Sequence, residues 1–426
     1  MAGEWETGTL GDIADLVMGQ SPTGETCNEN GKGIPLLNGP TEFGGNHPRP
    51  VQYTTDPRKF AEPGDLLFCV RGSTTGRMNW ADQRYAIGRG LAAIRPKQGN
   101  EYRHFVRAVI DANLPRLLAS ATGSTFPNVS REQIRELECN IPPLAERKAI
   151  AAVLGALDDK IELNRRMNAT LEGMARALFQ SWFVDFDPVR AKLDGCKPEG
   201  MDKATAALFP DGFQESSLGP VPKGWAAGKI QDCCIQIQNG GTPRRNEPRF
   251  WDGGNIPWLA SGEVRQSIIT ATESFITEEG LAESSAKWVP AFSTVVALYG
   301  ATAGQVSLTS SRLTTNQAVC ALIPKKHFAL FNYLTMGTAT AELENKAVGS
   351  AQQNISKGIV EETGVILPPP DLVERFTVLA SPLFERWIFN LHQSRTIATL
   401  RDTLLPKLLS GELRVPYAEK IVERTV

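Results

Sequence analysis

No stretch of the 426 residues approaches the roughly 20 consecutive apolar residues of a membrane-spanning helix. The amino terminus, Met1-Ala-Gly-Glu-Trp-Glu, lacks the apolar segment of a secretion signal. Seven cysteines form no Cys-x-x-Cys pair, so neither a zinc ribbon nor a disulfide framework is expected. The adjacent Cys233-Cys234 reads as part of a half-buried strand or helix. Histidine is scarce. His47, His104, His327 and His392 are scattered and show no metal-ligand spacing. No G-x-x-x-x-G-K-[ST] phosphate loop is present, because Gly72-x-x-x-Gly76-Arg77 is too short. No G-x-G-x-x-G opens a helix after a strand, and no G-x-S-x-G elbow occurs. Neither sign of charge dominates: 45 Lys and Arg face 47 Asp and Glu, a net charge of -2. That balance neither demands nor excludes nucleic acid, since a local basic face can bind phosphate on a neutral chain. A soluble, cytoplasmic protein without a membrane or metal site is expected.

What is present is length and repetition. Hydrophobic residues at 41% can fill real cores, and about 150 residues per domain suggests two or three domains. Gly123-Ser-Thr-Phe-Pro-Asn-Val-Ser130 is echoed by Gly349-Ser-Ala-Gln-Gln-Asn-Ile-Ser356, an offset of 226. At that offset Glu136 meets Glu362, and Pro142-Pro143 meets Pro368-Pro369. Upstream, Gly72-Ser-Thr-Thr-Gly76 matches Gly300-Ala-Thr-Ala-Gly304 at offset 228, and Ile34-Pro-Leu-Leu37 matches Ile256-Pro-Trp-Leu259 at 222. Trp5 before Leu10 matches Trp225 before Ile230. Small drifts in offset are what loop insertions produce. A period this long denotes a duplicated domain, not a solenoid.

Leu66-Leu-Phe-Cys-Val70 and Thr294-Val-Val-Ala-Leu-Tyr299 are short apolar runs that read as buried strands, as do Leu91–Ile94 and Ala318–Ile323. Residues 101–119 and 326–347 carry helical spacing. Each copy is therefore an α/β (α+β) domain. A long helix follows each. Ile150, Leu154, Leu157, Ile161, Asn164, Asn168, Leu171, Ala175, Leu178 and Trp182 advance by alternating steps of four and three, a heptad seam. The second seam runs through Leu372, Phe376, Leu379, Leu383, Asn390, Ile397, Leu404 and Leu408. Pro382 and Pro406 interrupt it, which predicts a kink or restart near 382. Asn164 and Asn390 again stand 226 apart, so an asparagine in each seam would set the register of a paired, antiparallel coiled coil.

The domain order expected is a first globular domain over 1–143, a helix over 144–184, a turn-rich connector over 185–222 with one short helix near Ala204–Leu208, a second domain over 223–369, a helix over 370–412 and a tail over 413–426. The loops carry polar and basic residues suited to a long polyanion. Arg71, Arg77, Arg89 and Arg131 lie near equivalent loops of the first copy. Arg244, Arg245 and Asn246 stand on a turn of the second. Gln352, Gln353 and Asn354 are amides able to read adenine edges, beside Lys357, a phosphate-grade cation.

Several strings resemble a known family, the specificity subunit of type I restriction–modification systems. They are Pro142-Pro-Leu-Ala-Glu-Arg147, Leu157-Asp-Asp-Lys-Ile-Glu-Leu-Asn-Arg-Arg-Met-Asn168, Leu171 to Phe186, Pro368-Pro-Pro-Asp-Leu-Val-Glu-Arg375 and Leu400 to Val415. With the duplication, the resemblance covers nearly the whole chain. It implies two target-recognition domains, each reading one half of a bipartite site in double-stranded DNA. It implies helices that act as a spacer and dock two methyltransferase subunits, with restriction (translocase/endonuclease) subunits joining them. It further implies a non-catalytic chain that binds no cofactor itself, S-adenosylmethionine being held by the methyltransferase subunits. Two other readings remain open at this point: a nucleic-acid enzyme acting alone, and a coiled-coil scaffold without DNA contact.

Overall fold

Two helices of exceptional length, Leu144–Phe183 with 40 residues and Pro370–Ser410 with 41, organise the chain. The computed structural model describes residues 5–121, 127–346 and 354–425. The chain divides into two compact units, Met1–Asn164 with Gln393–Val426, and Arg165–His392. The division falls inside both long helices, not at their ends. Each unit thus combines one globular domain with half of each helix.

In the first unit, strands Ala14–Met18, Leu91–Pro96, Leu66–Cys69 and Met78–Trp80 form an antiparallel sheet in that order. Leu66–Cys69 is buried along its whole length. The period of two along a strand sends its side chains to opposite faces. Leu66 and Phe68 join a core with the helices, whereas Leu67 and Cys69 join a core with a second sheet. That second sheet orders Cys27–Asn28, Gln52–Thr54, Ile34–Leu37, Tyr85–Ile87 and Phe60–Ala61, with Ile34–Leu37 and Tyr85–Ile87 parallel.

The second unit repeats the plan. Cys234–Asn239, Val319–Pro324, Thr294–Ala297, Val306–Thr309 and Ile268–Ile269 form one sheet. Ser274–Ile276, Ile256–Leu259, Leu313–Thr315 and Trp288–Val289 form the other. Val296, Cys320 and Leu322 face the helix-side core, and Val295, Ala297, Val319 and Ala321 face the inter-sheet core. In both copies a short ladder ties the domain entrance to its exit just before the long helix starts: Glu6–Thr9 with Glu138–Ile141, and Ala226–Lys229 with Gly364–Leu367.

The long helices pair antiparallel within each unit. In the first, Ile150, Leu154 and Leu157 share a core with Ile397, Leu404 and Leu408. Asn164 Nδ2 donates to Gln393 Oε1 at 2.9 Å and to Ser394 Oγ at 3.2 Å. In the second, Ala175 and Trp182 are buried with Phe376, and Leu171, Leu178 and Leu383 pack against that core, partly exposed. Phe183 stacks edge-on against Phe331 and Phe376, at 5.1 Å between ring centroids in each case. Each such pair contributes about 0.5–1.5 kcal/mol beyond its buried area. Ile161 is half-buried on the same seam.

Several expectations are corrected. Pro370–Ser410 runs unbroken through Pro382 and Pro406. Both prolines lie on the exposed side, as do Val378 and Asp402 one turn earlier. Water can therefore serve the carbonyls that lose their donor. Leu379 is exposed at 41% and is not a seam residue. Val373, Phe376, Ala380, Phe384 and Trp387 bury instead. The buried stripe thus moves one position past Leu379, onto Ala380 and Phe384, where the helix lies against the second unit's globular core. The helical run expected over 326–347 is two helices, Ala329–Thr338 and Thr340–Lys346. The connector holds two short helices, Asp187–Leu193 and Lys203–Ala207, and a strand pair. It packs into the second unit: Phe186, Val189 and Phe209 are buried, and Arg375 binds Asp202 and Thr205 at 2.7 Å each. The segment taken as a tail contains the helix Val415–Thr425, whose Val415 and Ala418 enter the first unit's core.

Candidate nucleic-acid interface

In each domain the Gly-rich loops converge at the ends of the central strands, and the backbone holds them by the same hydrogen bonds. Val70 N–H donates to the Gly90 carbonyl at 2.9 Å, and Leu298 N–H to Ala318 at 2.8 Å. Val129 N–H donates to Val70 at 3.0 Å, and Ile355 N–H to Leu298 at 2.8 Å. Gln20 N–H reaches Ile87 at 2.9 Å, and Gly241 N–H reaches Thr315 at 2.9 Å. Gly88 N–H reaches Leu37 at 2.8 Å, and Asn316 N–H reaches Leu259 at 3.0 Å. Isolated bridges join Arg71 to Asn128 and Tyr299 to Asn354. Gly72 and Gly300 then turn the chain at φ 91° and 79°, a region that a side chain disfavours.

This matched backbone pairs Arg71 with Tyr299, Arg89 with Gln317, Asn128 with Asn354 and Ser21 with Thr242. The frame is common and the chemistry differs. In the first unit Arg71 Nε donates to Asn128 Oδ1 at 3.2 Å, and Arg89 N–H donates to Ser21 Oγ at 3.2 Å. In the second, Thr242 Oγ1 donates to Gln317 Oε1 at 2.5 Å, and Asn239 Nδ2 donates to the Gln317 carbonyl at 3.3 Å. Tyr299 is 43% exposed.

Arg71, Arg77, Arg89, Arg131 and Arg244 are all exposed, and among the described residues none forms an ion pair. Arg95, Arg249 and Arg401, by contrast, are paired with carboxylates. An exposed arginine without a carboxylate keeps its full charge for a phosphate or a guanine edge. Arg245 is held differently: its guanidinium lies 4.2 Å from the Trp251 ring and 4.7 Å from the Trp258 ring. Those indoles also fix the loop, Trp251 Nε1 donating to the Arg244 carbonyl and Trp258 Nε1 to Gly241, both at 3.0 Å. Asn246 is exposed on the same turn. Lys357 opens the helix Lys357–Glu361 and pairs with Glu361 at 3.0 Å, so part of its charge is already met. Asn354 is exposed, while Gln352 and Gln353 lie outside the described residues.

The seam residues proposed also for partner docking are largely taken up inside the units. The large apolar side chains left exposed on the long helices are Leu144, Leu163, Met174, Val378, Leu379 and Phe389. Sequence reasoning missed Tyr299, Gln317, Ser21 and Thr242. Offset 228, already read from Gly72 and Gly300, would have paired Arg89 with Gln317 had it been carried downstream.

Burial pushes the thiols of Cys233, Cys234 and Cys320 up to about 12, so none is a ready thiolate. Among the described residues no group of three or more His, Cys, Asp or Glu could hold a metal ion.

The family model described as type I restriction modification DNA specificity domain matches residues 2–173 and again 222–372. The type I restriction enzyme HindI specificity subunit of Haemophilus influenzae is 29% identical over 406 residues, covering 84% of this chain and 88% of that protein. The MjaIX specificity subunit of Methanocaldococcus jannaschii is 24% identical over 431 residues, covering 97% and 94%. The crystal structure of a type I restriction–modification S subunit from M. genitalium shares the fold with a TM-score of 0.58, at 16% identity over 95% of this chain and 96% of that one. The chain belongs to the type I restriction–modification DNA specificity family and carries that family's domain twice.

Proposed function

We propose that this chain is the sequence-specificity subunit of a type I restriction–modification complex. Each globular domain reads one half of a bipartite target in double-stranded DNA. The long helices set the gap and carry two methyltransferase subunits, to which restriction subunits are added. The chain performs no catalysis. S-adenosylmethionine is held by the methyltransferase subunits, and the assembly works in the cytoplasm; among the described residues no helix is long and apolar enough to cross a membrane.

The observation that carries this reading is the duplicated loop frame with exchanged side chains. A conserved backbone geometry sets a reader against a polymer, and the residue at each corner decides what is read. Arg71 and Arg89 occupy corners that Tyr299 and Gln317 occupy in the other copy. Two domains built alike but furnished differently suit two unlike half-sites. A pure scaffold would have no use for arginines without ion pairs on matched loops.

The test is a gel shift of the chain with its methyltransferase subunits on DNA of varied sequence and salt. Sequence-selective binding that weakens steeply with salt is expected. Equal binding to all sequences, or turnover by the isolated chain, would refute the reading.

A further inference from the structure

We infer that residues 89 and 317 are equivalent base-reading positions, Arg89 selecting guanine in one half-site and Gln317 selecting adenine in the other. The inference rests on the DNA-specificity reading and deepens it. Equivalence comes from the backbone. Gly88 and Asn316 donate to the matched strand ends at Leu37 and Leu259, and Gly90 and Ala318 accept from Val70 and Leu298. Residues 89 and 317 therefore sit between the same two hydrogen bonds in each copy. Both neighbouring loops offer a hydroxyl to this corner, Ser21 in one and Thr242 in the other.

The chemistry of the two side chains then differs in a defined way. Arg89 spends only its backbone N–H on Ser21, and its exposed guanidinium forms no ion pair among the described residues. A free guanidinium fork matches guanine O6 and N7. Gln317 receives the Thr242 hydroxyl on Oε1. That bond holds the Oε1 end of the amide at Thr242 and leaves one Oε1 lone pair and both Nε2 hydrogens unspent. An acceptor beside a donor matches adenine N6 and N7. Asn239 holds the Gln317 carbonyl, so the amide projects from a backbone tied on both sides. Thr242 is a positioning residue here: it orients Gln317 and touches no base.

The experiment uses the full chain assembled with its methyltransferase subunits, and measures competitive binding to duplexes randomised one position at a time. The wild-type complex should show two half-sites. Gln317→Arg should change one position of one half-site from adenine to guanine, a swing of about tenfold or more, and leave the other half-site intact. Gln317→Ala should lose discrimination at that same position. Arg89→Gln should make the converse change in the other half-site. Discrimination unchanged in Gln317→Ala, or weakened equally over all sequences, overturns the inference while leaving two half-sites in place. Failure of the wild-type complex to discriminate at all refutes the underlying reading instead. If Gln317→Ala no longer assembles, Thr242→Val decides. It leaves Gln317 present but removes the hydrogen bond that anchors its amide, and unchanged discrimination there overturns the inference.

Discussion

Asn390 Nδ2 donates to Asn168 Oδ1 at 2.9 Å, with both side chains buried where the long helices pair. Adding 226 to Asn164 gives Asn390, and subtracting 226 from its partner Ser394 gives Asn168. The duplication therefore preserves a polar contact in an otherwise apolar seam. A buried amide that must find one partner penalises every register in which it faces a hydrocarbon.

Asn390→Ala should lower stability by about 1–3 kcal/mol, because Asn168 is left buried without that partner. Replacing both residues by leucine should restore or raise the melting temperature, but broaden the range of helix registers. Thermal melts, with cysteine cross-linking between the helices to read register, check this. A double variant that cross-links in the native register only would contradict the register role.

Asp158 lies under Arg401, with Nη1 to Oδ1 at 2.7 Å, and within 3.5 Å of His104 Nδ1. Burial works against its charge, yet His104 and Arg401 together hold its carboxyl below the ordinary range. Arg107 and Asp111 face the same group. A carboxyl whose pKa is depressed by folding stabilises the native state above about pH 4 and loses that contribution as pH falls through its folded value. Asp158→Asn should therefore lower the melting temperature most near pH 6–7, and the gap to wild type should narrow below pH 4. A gap that stays constant with pH would assign the loss to packing alone.

Arg244→Ala should weaken binding to all DNA sequences about equally and reduce the salt slope by roughly one, as expected for one lost phosphate contact. Arg245→Ala should do more, since its guanidinium also covers Trp251 and Trp258. Affinity measured against salt on cognate and random duplexes separates the two. A sequence-dependent loss in Arg244→Ala would make it a base reader.

Much of the architecture is legible in the sequence. The repeat placed both domains, and the steps through Ile150, Leu154, Leu157 and Ile161 placed the first seam. The second seam departs from the sequence pattern at Leu379, because the helix there buries Ala380 and Phe384 against the globular core, and which apolar neighbour turns inward depends on that core. Pro382 misled because propensity knows nothing of which side meets water. Compact packing of the connector rests on Phe186, Val189 and Phe209, which show no helical or strand period among the turn formers around them. The loop arginines were visible as composition. Their separation into unpaired Arg89 and stacked Arg245 depends on distant partners, and the Arg89–Gln317 equivalence on hydrogen bonds between segments far apart in the chain.

Helix length should set the gap between half-sites. Four helix-favouring residues inserted near Asn168–Glu172 add about 6 Å, against roughly 3.4 Å per base pair. The gap should widen by one to two base pairs, with both half-sites unchanged. Retention of the original gap in an active variant would contradict the spacing role.

The most direct measurement is the map of methylated adenines in DNA from cells carrying this chain with its methyltransferase subunits. The expected motif is two unlike half-sites across a fixed gap, and replacing residues 1–143 by a relative's domain should change one half-site only. A single uninterrupted motif, or one indifferent to that replacement, would contradict the account.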